Sequence, residues 1–220
     1  MLLFARHFSL AFSALLPLIN PVGSALVFFG LVGMAPREVY HRLARKIAVT
    51  TIIFLLVVDI AGAAVLSFFS ISLPVVQLAG GLVVAAMGWR LLNEKEESSR
   101  EGVTAAATDH RSLDEKVFYP FSFPITAGPG TLVVTLTLSA HATQKTLINT
   151  VLAHAGTFAG AILICIGVYF CYAYAPAMTT RVSRQTIHGV VRVIAFILLC
   201  IGAQIAWNGL EQLLRTVLKS

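Results

Sequence analysis

The sequence is poor in charged residues and in cysteine, and both scarcities limit the kind of protein it encodes. Of its 220 residues only 12% are charged, whereas 57% are hydrophobic. A water-soluble domain could not hide so much apolar surface, but a lipid bilayer accepts it. The three cysteines, Cys165, Cys171 and Cys200, form no C-x-x-C pair and all lie in apolar runs. We therefore interpret them as small core residues.

Signatures of several enzyme classes are also missing. The sequence contains no H-E-x-x-H, no G-x-S-x-G and no paired aspartate motif, and no soluble segment is long enough to fold as a catalytic domain. It has no Walker A sequence, so we expect no ATP-driven step within this chain. We expect a protein that is not an enzyme and that holds neither a cofactor nor a metal.

What the sequence does contain is six apolar stretches of membrane-spanning length. A helix needs about 20 apolar residues to cross roughly 30 Å of hydrocarbon. We expect no cleaved signal peptide, because the first apolar run continues to about Leu31 and its small-residue sites are weak. The six predicted spans are residues 8–32, 47–69, 73–92, 118–140, 147–175 and 189–214. The prediction is an all-α protein embedded in the lipid bilayer.

A polar stretch divides the six spans into two groups of three. Residues 93–116, NEKEESSREGVTAAATDHRSLDEK, are charged and nearly free of large apolar side chains, which is typical of a solvated linker. The expected organisation is a first three-helix repeat over residues 1–92, this linker, and a second three-helix repeat over residues 117–220.

The two halves resemble each other in sequence. The pattern P-x5-G-[ST] begins at Pro17 and again at Pro124, and Gly88 in the third span aligns with Gly202 in the sixth. Because each half has an odd number of spans, the second half must enter the membrane from the opposite side. The sequence therefore predicts inverted repeats, an arrangement found in many secondary transporters.

Basic residues predict the orientation of the chain. Cytoplasmic loops of membrane proteins carry an excess of lysine and arginine. We therefore predict that the linker is cytoplasmic and that both termini are periplasmic. The net charge of +6 belongs to these loops, and we expect no nucleic-acid partner. The predicted cytoplasmic side carries Arg37, Arg42, Arg45, Lys46, Lys95, Arg100, Arg111, Lys116, Arg181 and Arg184, against Arg6, Lys145, Arg215 and Lys219 on the other side.

Two of the predicted spans contain helix breakers near their centres. The first reads LLPLINPVGSALVFFG over residues 15–30, and the fourth reads FSFPITAGPGTLVVTLTLS over residues 121–139. Proline removes a backbone N–H and clashes with the preceding turn, while glycine accepts unusual backbone angles. In hydrocarbon, irregular backbone survives only inside protein or around a water-filled cavity. We predict that spans 1 and 4 are broken near the bilayer midplane.

Each break also has the features of a helix start. Asn20 suits an N-cap and Pro21 the first helical position, and Gly128 with Pro129 could serve in the same way, with Thr126 as another cap candidate. In inverted repeats the two half-helices approach from opposite sides, so their positive ends would converge on one place. Such a place suits a small anionic group such as a carboxylate.

The paired breaks are therefore the predicted binding site for a small zwitterionic substrate. Glycines would let the substrate approach the backbone, and hydroxyls would add donors. A simple kink remains the alternative for either break taken alone. The predicted substrate-binding residues are Asn20, Pro21, Gly23, Ser24, Thr126, Ala127, Gly128, Pro129, Gly130 and Thr131.

Other polar residues lie within the apolar spans. Asp59 is a candidate carrier of a coupling proton or sodium ion, and its alternative role is a carboxyl hydrogen-bonded within the bundle. We expect interhelical hydrogen bonds from Gln77, His154, Gln204 and Asn208. Close helix packing is expected at Gly80, Gly81, Gly88, Gly156 and Gly160.

Taken together, these segments resemble the MarC family of bacterial membrane proteins, within the broader LysE-like transporter group. The resemblance is carried by LLPLINPVG, LPVVQLAGGLVVAAMGWRLL, FPITAGPGT and IGAQIAWNGL, and it covers nearly the whole chain outside the linker. It implies six spans in the bacterial inner membrane and transport of small neutral amino acids such as glycine and alanine. The alternative is a channel or a non-transporting membrane protein, and the direction of transport and the oligomeric state are left open.

The basic asymmetry gives a topological prediction. In a background without the three native cysteines, a cysteine placed in the 93–116 linker should react with an impermeant reagent from the cytoplasm. A Ser220→Cys label should react from the opposite side. Both labels reacting from the same side would contradict the six-span inverted arrangement.

Overall fold

The computed structural model describes residues 1–93, 112–142, 146–181 and 184–218, and in these ranges every regular element is a helix. Residues 94–111, most of the predicted linker, lie outside the described part. One element, which we call the π segment, is an irregular helical stretch with two extended residues inside it. In chain order the elements are α1 (Leu2–Ile19), α2 (Pro21–Val32), α3 (Arg37–Phe68), α4 (Leu73–Asn93), α5 (Ser112–Glu115), the π segment (Val117–Thr126), α6 (Pro129–Ala142), α7 (Leu147–Ala173), α8 (Ala175–Arg181) and α9 (Arg184–Leu218).

Five helical stretches among the described residues are long and apolar enough to cross a bilayer by themselves. They are Leu2–Val32, which combines α1 and α2, then α3, α4, α7, and Gly189–Leu218 within α9. The π segment and α6 reach this length only as a pair, and the pair is bent by 73°. The all-helical membrane fold is confirmed, whereas a count of six holds only if the bent pair is one span.

The helices extend beyond the predicted spans. The span predicted from residue 47 belongs to a helix that begins at Arg37, and the span predicted from residue 8 begins at Leu2. Apolar stretches mark the length of the hydrocarbon, but the backbone continues helical into the interface, where polar side chains are solvated. The sequence therefore located the spans better than it located the helix ends.

The directions of the helices follow from a few contacts. Gly156 on α7 packs against Phe4 and His7 on α1, while Tyr172 at the other end of α7 stacks on Phe28 of α2. α7 therefore runs parallel to α1 and α2 together. α3 runs the opposite way, because His41 near its start lies beside Tyr169. We call the end of the bundle near His41 and Tyr169 the basic end and the opposite end, near His7, the far end.

α4 and α9 pair in antiparallel fashion along glycines. A Cβ on Gly81 would collide with the backbone of Ala206, and one on Gly88 would lie 2.5 Å from the amide nitrogen of Leu199. Near the far end Gly209 lies equally close to Leu78 of α4. Small residues let membrane helices approach closely enough for van der Waals packing to hold them together. The packing predicted for Gly81 and Gly88 is confirmed, and Gly80 packs against Val133 of α6.

The core lies between α1, α2, α3, the π segment and α7. Its largest fully buried side chains include Tyr40, Tyr172, Phe28, Phe121 and Leu15. Ile60, Val193 and Phe196 are more than half exposed, as expected for helices that face lipid.

Among the cysteines, Cys165 is buried, Cys171 is half-buried and Cys200 is exposed. The prediction of a core cysteine is therefore wrong for Cys200, because it lies on an outward face of α9.

The end of the predicted linker is packed rather than solvated. Leu113 in α5 is fully buried, and Asp114 lies 3.2 Å from Lys46 Nζ and 3.6 Å from Arg42 Nε. These ion pairs join α5 to the start of α3 at the basic end. Exposed pairs of this kind contribute little stability individually, so burial of Leu113 is the stronger anchor.

The surroundings of Gly81 and Gly167 predict that replacement by alanine affects stability differently at the two positions. Gly81→Ala should destabilise the protein by about 1–3 kcal/mol, because its methyl group forces α4 and α9 apart. Gly167→Ala on α7 meets nothing within 4 Å. It should be neutral or stabilise by about 0.5–1 kcal/mol, because alanine is the better helix former. Unfolding in mixed detergent micelles measures both, and equal effects would contradict the packing.

Candidate functional site

The first break is built by a single residue that ends one helix and begins the next. Asn20 has left-handed backbone angles, φ 42° and ψ 68°. Its amide donates to the Leu16 carbonyl at 2.9 Å, and its side-chain Oδ1 accepts from the Gly23 amide at 3.1 Å. Asparagine tolerates this conformation better than most residues. Asn20 is the N-cap of α2 and Pro21 its first residue, as the sequence predicted.

The second break is longer and more sharply bent. Within the π segment Tyr119 and Phe123 are extended, with ψ of 124° and 127°. Each precedes a proline, and proline disfavours helical angles in the residue before it. The Ala127 amide then donates to the Ser122 carbonyl at 2.8 Å, and α6 begins at Pro129. Gly128 accepts the first amide hydrogen bonds of α6, from Thr131 and Leu132.

The two breaks lie next to each other. A Cβ on Gly130 would be 3.0 Å from Leu18 Cδ2 and 2.5 Å from Val84 Cγ2. Val84 lies near the centre of α4, so both breaks are at mid-length of that spanning helix. From here α6 runs to Ser139 at the far end, while α2 runs to Phe28 near the basic end. The two half-helices therefore start at the same depth and point away from each other.

Tyr172 connects the two breaks, and the sequence analysis did not identify it. Its hydroxyl lies 2.8 Å from Thr126 Oγ1 and close to Ser24. Its ring stacks on Phe28 with centroids 4.5 Å apart, and Phe28 meets Phe121 edge-on at 5.3 Å. This aromatic cluster closes the basic-end side of the breaks. Thr126 also donates to the Phe121 carbonyl at 2.7 Å, so it faces away from α6 and the alternative that it caps α6 is wrong.

The two glycines proposed to admit a ligand face occupied space. A Cβ on Gly23 would lie 2.8 Å from Cγ of Asn20, and the space beside Gly130 is filled by Leu18 and Val84. In this conformation Gly23 makes room for the cap and Gly130 for helix packing. Ser24 likewise directs its hydroxyl to the Asn20 carbonyl at 2.9 Å. The space beside each break is thus filled by side chains of the protein itself.

Two buried hydroxyls near the second break have no hydrogen-bond partner. They belong to Thr131, in the first turn of α6, and Ser122 in the π segment, each 1% exposed. A buried hydroxyl without a partner costs roughly 1–3 kcal/mol. Thr131 was predicted as a substrate donor, whereas Ser122 was not singled out. Free donors beside a helix start are the groups that a small polar ligand would satisfy.

Asp59 lies in a second polar region, closer to the far end. It is 4% exposed, and its Oδ2 is 2.7 Å from Nδ1 of His154 on α7. Ser139 of α6 donates to its backbone carbonyl at 2.5 Å. Since α6 rises about 1.5 Å per residue, Asp59 lies roughly 13 Å along the bundle from the break at Gly130. The expected interhelical hydrogen bond of His154 is confirmed, and its partner is the residue singled out as an ion carrier.

The interhelical hydrogen bonds predicted for the other polar residues are confirmed in one case and wrong in two. Gln77 Oε1 on α4 accepts from Gln212 Nε2 on α9 at 3.2 Å, as expected for an interhelical partner. Gln204 and Asn208 instead hydrogen-bond to each other within α9, at 2.8 Å, so the interhelical prediction is wrong for this pair. Their four-residue spacing places them on one face of the helix, which makes a local bond the nearest option.

A cavity of about 810 Å³ opens at the basic end. Its polar lining comes from His41, Arg42, Arg45, Lys46, Thr50 and Asp114, and Tyr169 forms part of its wall. Tyr169 is one helical turn before Tyr172, so the cavity ends close to the aromatic cluster. The excess of basic side chains gives it a positive potential.

Comparison with known proteins decides the family. The family model described as "MarC family integral membrane protein" matches residues 5–214, a range that includes both breaks and Asp59. The chain belongs to the MarC family. The sequence-based resemblance is thereby confirmed, and so is the prediction of a multi-pass protein of the bacterial inner membrane.

Individual MarC relatives match along nearly their whole length. The inner membrane protein MarC of Salmonella typhimurium is 27% identical over 225 residues, covering 96% of this chain and 97% of the relative. That of Escherichia coli O1:K1 / APEC is 28% identical over 216 residues, with the same coverage. No solved structure matches the chain. Within the described residues, no three His, Cys, Asp or Glu side chains are grouped to hold a metal ion.

The geometry of Asn20 predicts an order of stabilities. Asn20→Ala loses the cap and keeps an unfavourable left-handed angle, so it should cost about 2 kcal/mol. Asn20→Gly loses the same hydrogen bond but relieves the backbone, so it should cost only about 0.5 kcal/mol. Unfolding of each purified variant in mixed micelles measures the difference. Alanine proving as stable as glycine would contradict the assigned conformation.

Proposed function

We propose that this protein is a secondary transporter of small neutral amino acids such as glycine and alanine, with the substrate held at the paired breaks. The observation that supports this most directly is the meeting of two oppositely directed half-helices, α2 and α6, at the middle of the bundle. Interrupted helices at mid-depth form the substrate and ion sites of several transporter folds. The proposal treats the protein as a carrier and not as an enzyme.

Electrostatics select the part of the substrate that the breaks would bind. The first turn of a helix presents backbone N–H groups and about half a positive charge. Two such ends at one place favour a carboxylate over a neutral amide. The free hydroxyls of Thr131 and Ser122 can donate to the same group. The restricted space beside Gly23 and Gly130 favours a substrate with a very small side chain.

The closed breaks then represent one state of a transport cycle. The basic cavity would serve as the vestibule on the cytoplasmic side, separated from the breaks by the aromatic cluster around Tyr172. Opening requires the hydrogen bond between Tyr172 and Thr126 to break, and the side chains of Leu18 and Val84 to move. This is the rearrangement that alternating access demands of a gate.

We further propose that the two halves are inverted repeats that form six spans. In this arrangement α1 and α2 correspond to the π segment and α6, α3 corresponds to α7, and α4 corresponds to α9. The antiparallel pairings of α3 with α7 and of α4 with α9 support it, because each joins the equivalent helices of the two halves. The bent pair then counts as the fourth span, and both termini are periplasmic.

Binding of alanine against alaninamide tests the substrate site. The two ligands have the same side chain and ammonium group, but the amide lacks the carboxylate. Loss of a hydrogen bond to a charged group costs about 1.5–3 kcal/mol, so alaninamide should bind roughly 10- to 100-fold more weakly. Calorimetry on the purified protein measures both affinities. Equal affinity would overturn the carboxylate site.

A pair of glycine variants compares added volume at the second break with the same volume on an open helix face, each tested on folded, membrane-inserted protein. Gly130→Val introduces side-chain volume directly at the second break, and it should abolish alanine binding and counterflow in proteoliposomes. Gly167→Val adds the same volume where no atom lies within 4 Å of the added Cβ, and it should leave both intact. Saturating counterflow in the wild-type protein distinguishes a carrier from a channel. Absence of any counterflow would overturn the proposed transport.

A further inference from the structure

Three titratable side chains from three different helices meet in the far half of the bundle. His7 on α1 is 5% exposed, Asp59 on α3 is 4% exposed, and the side chain of His154 on α7 is 27% exposed. His7 packs against Gly156 of α7, next to Thr157, and its charge would act on both Asp59 and His154. Ionisable groups inside a membrane protein are costly and are usually retained for function.

The short contact between Asp59 and His154 holds a proton. An Nδ1 to Oδ2 distance of 2.7 Å lies at the short end for a charge-assisted N–H···O bond. In such a pair one proton is shared along the hydrogen bond, and a second can be held on the other imidazole nitrogen. His154 is the more exposed partner, with 27% of its side chain accessible against 4% for Asp59.

Other polar atoms in this region are left unsatisfied. Asp59 Oδ1, His7 Nδ1 and Thr157 Oγ1 are buried without a hydrogen-bond partner. They come from α3, α1 and α7, so a single strained turn does not account for all three. One of them belongs to the Asp59 carboxyl itself, and each carries a desolvation cost that packing alone does not explain. A site whose occupancy by a proton changes during function explains them.

We infer that Asp59, His154 and His7 form the proton-binding site that couples transport to a pH gradient. The inference rests on the proposed transport function and names its coupling group. Among the described residues, the charged and titratable groups that act on the site are Arg6 and His7 from α1, His141 from α6 and His154 from α7. Asp59 is the acidic member among them.

Two helices connect this site mechanically to the breaks. α1 carries His7 and ends at Asn20, roughly 20 Å further along the helix axis. α6 begins beside Gly130 and carries Ser139, which donates to the Asp59 backbone. A change of charge at Asp59 therefore acts on the same two helices whose ends form the substrate site. Rigid elements of this kind can pass a change between two sites.

The first test measures protons without any substrate. Nuclear magnetic resonance of the full chain with ¹⁵N-labelled histidine observes the imidazole N–H groups, and His154→Gln assigns the relevant signal. We expect the hydrogen-bonded Nδ1 proton of His154 to move upfield in Asp59→Asn, because a neutral amide is a weaker acceptor than a carboxylate. Glu211→Gln, which removes an exposed carboxylate on α9, should not move it. An unchanged signal in Asp59→Asn would overturn the shared proton site.

The second test measures coupling in proteoliposomes with labelled alanine. Wild-type protein should accumulate alanine under a pH gradient, and a sodium gradient should not replace it. Asp59→Asn and His154→Gln should each lower this accumulation at least about tenfold, which is more than they lower counterflow. Accumulation driven by sodium alone, or retained in both variants, would overturn the inference. Absent wild-type counterflow would refute the proposed transport instead, while the hydrogen-bonded histidine signal still decides the proton site.

Discussion

The structure depends on how backbone polar groups are satisfied where helices are interrupted inside the membrane. Water is not available there, so each freed N–H and C=O must find a partner within the protein. Asn20 meets this requirement within one turn, with its amide, carbonyl and side chain all engaged. The π segment meets it by hydrogen bonds that span five residues, as from Ala127 to Ser122.

Breaks of this kind must be enclosed by other helices, and the close helix contacts provide the enclosure. Glycines on α7 bring α1 against its backbone, and glycines on α4 and α9 bring those two helices together. The side chain of Asn20 then fills the space beside Gly23, and the side chains of Leu18 and Val84 fill the space beside Gly130. The same tight packing that makes the interruptions stable also keeps the proposed substrate site closed in this conformation, so in that proposal binding requires a movement of helices.

The two breaks and the Asp59 cluster are connected by the same two helices. The breaks lie at the middle of the bundle, and the Asp59 cluster lies nearer the far end, but α1 and α6 contribute to both. Each of these helices has one end at a break and its other half beside the Asp59 cluster, which provides a physical basis for the proposed coupling. In the proposed coupling role, the function of the buried carboxyl offsets its desolvation cost.

The sequence by itself determined the membrane environment, the positions of the apolar spans, and the two breaks, including the cap at Asn20. These features depend on local chemistry: hydrophobic length, the missing proline N–H, and the side chain of one residue bonding to the next turn. Only the tertiary structure decided that Thr126 serves Tyr172 rather than α6, that Cys200 faces outward, and that Asp59 pairs with His154, 95 residues later. Such contacts depend on the rotation and register of one helix against another, which are set by packing between segments far apart in the chain.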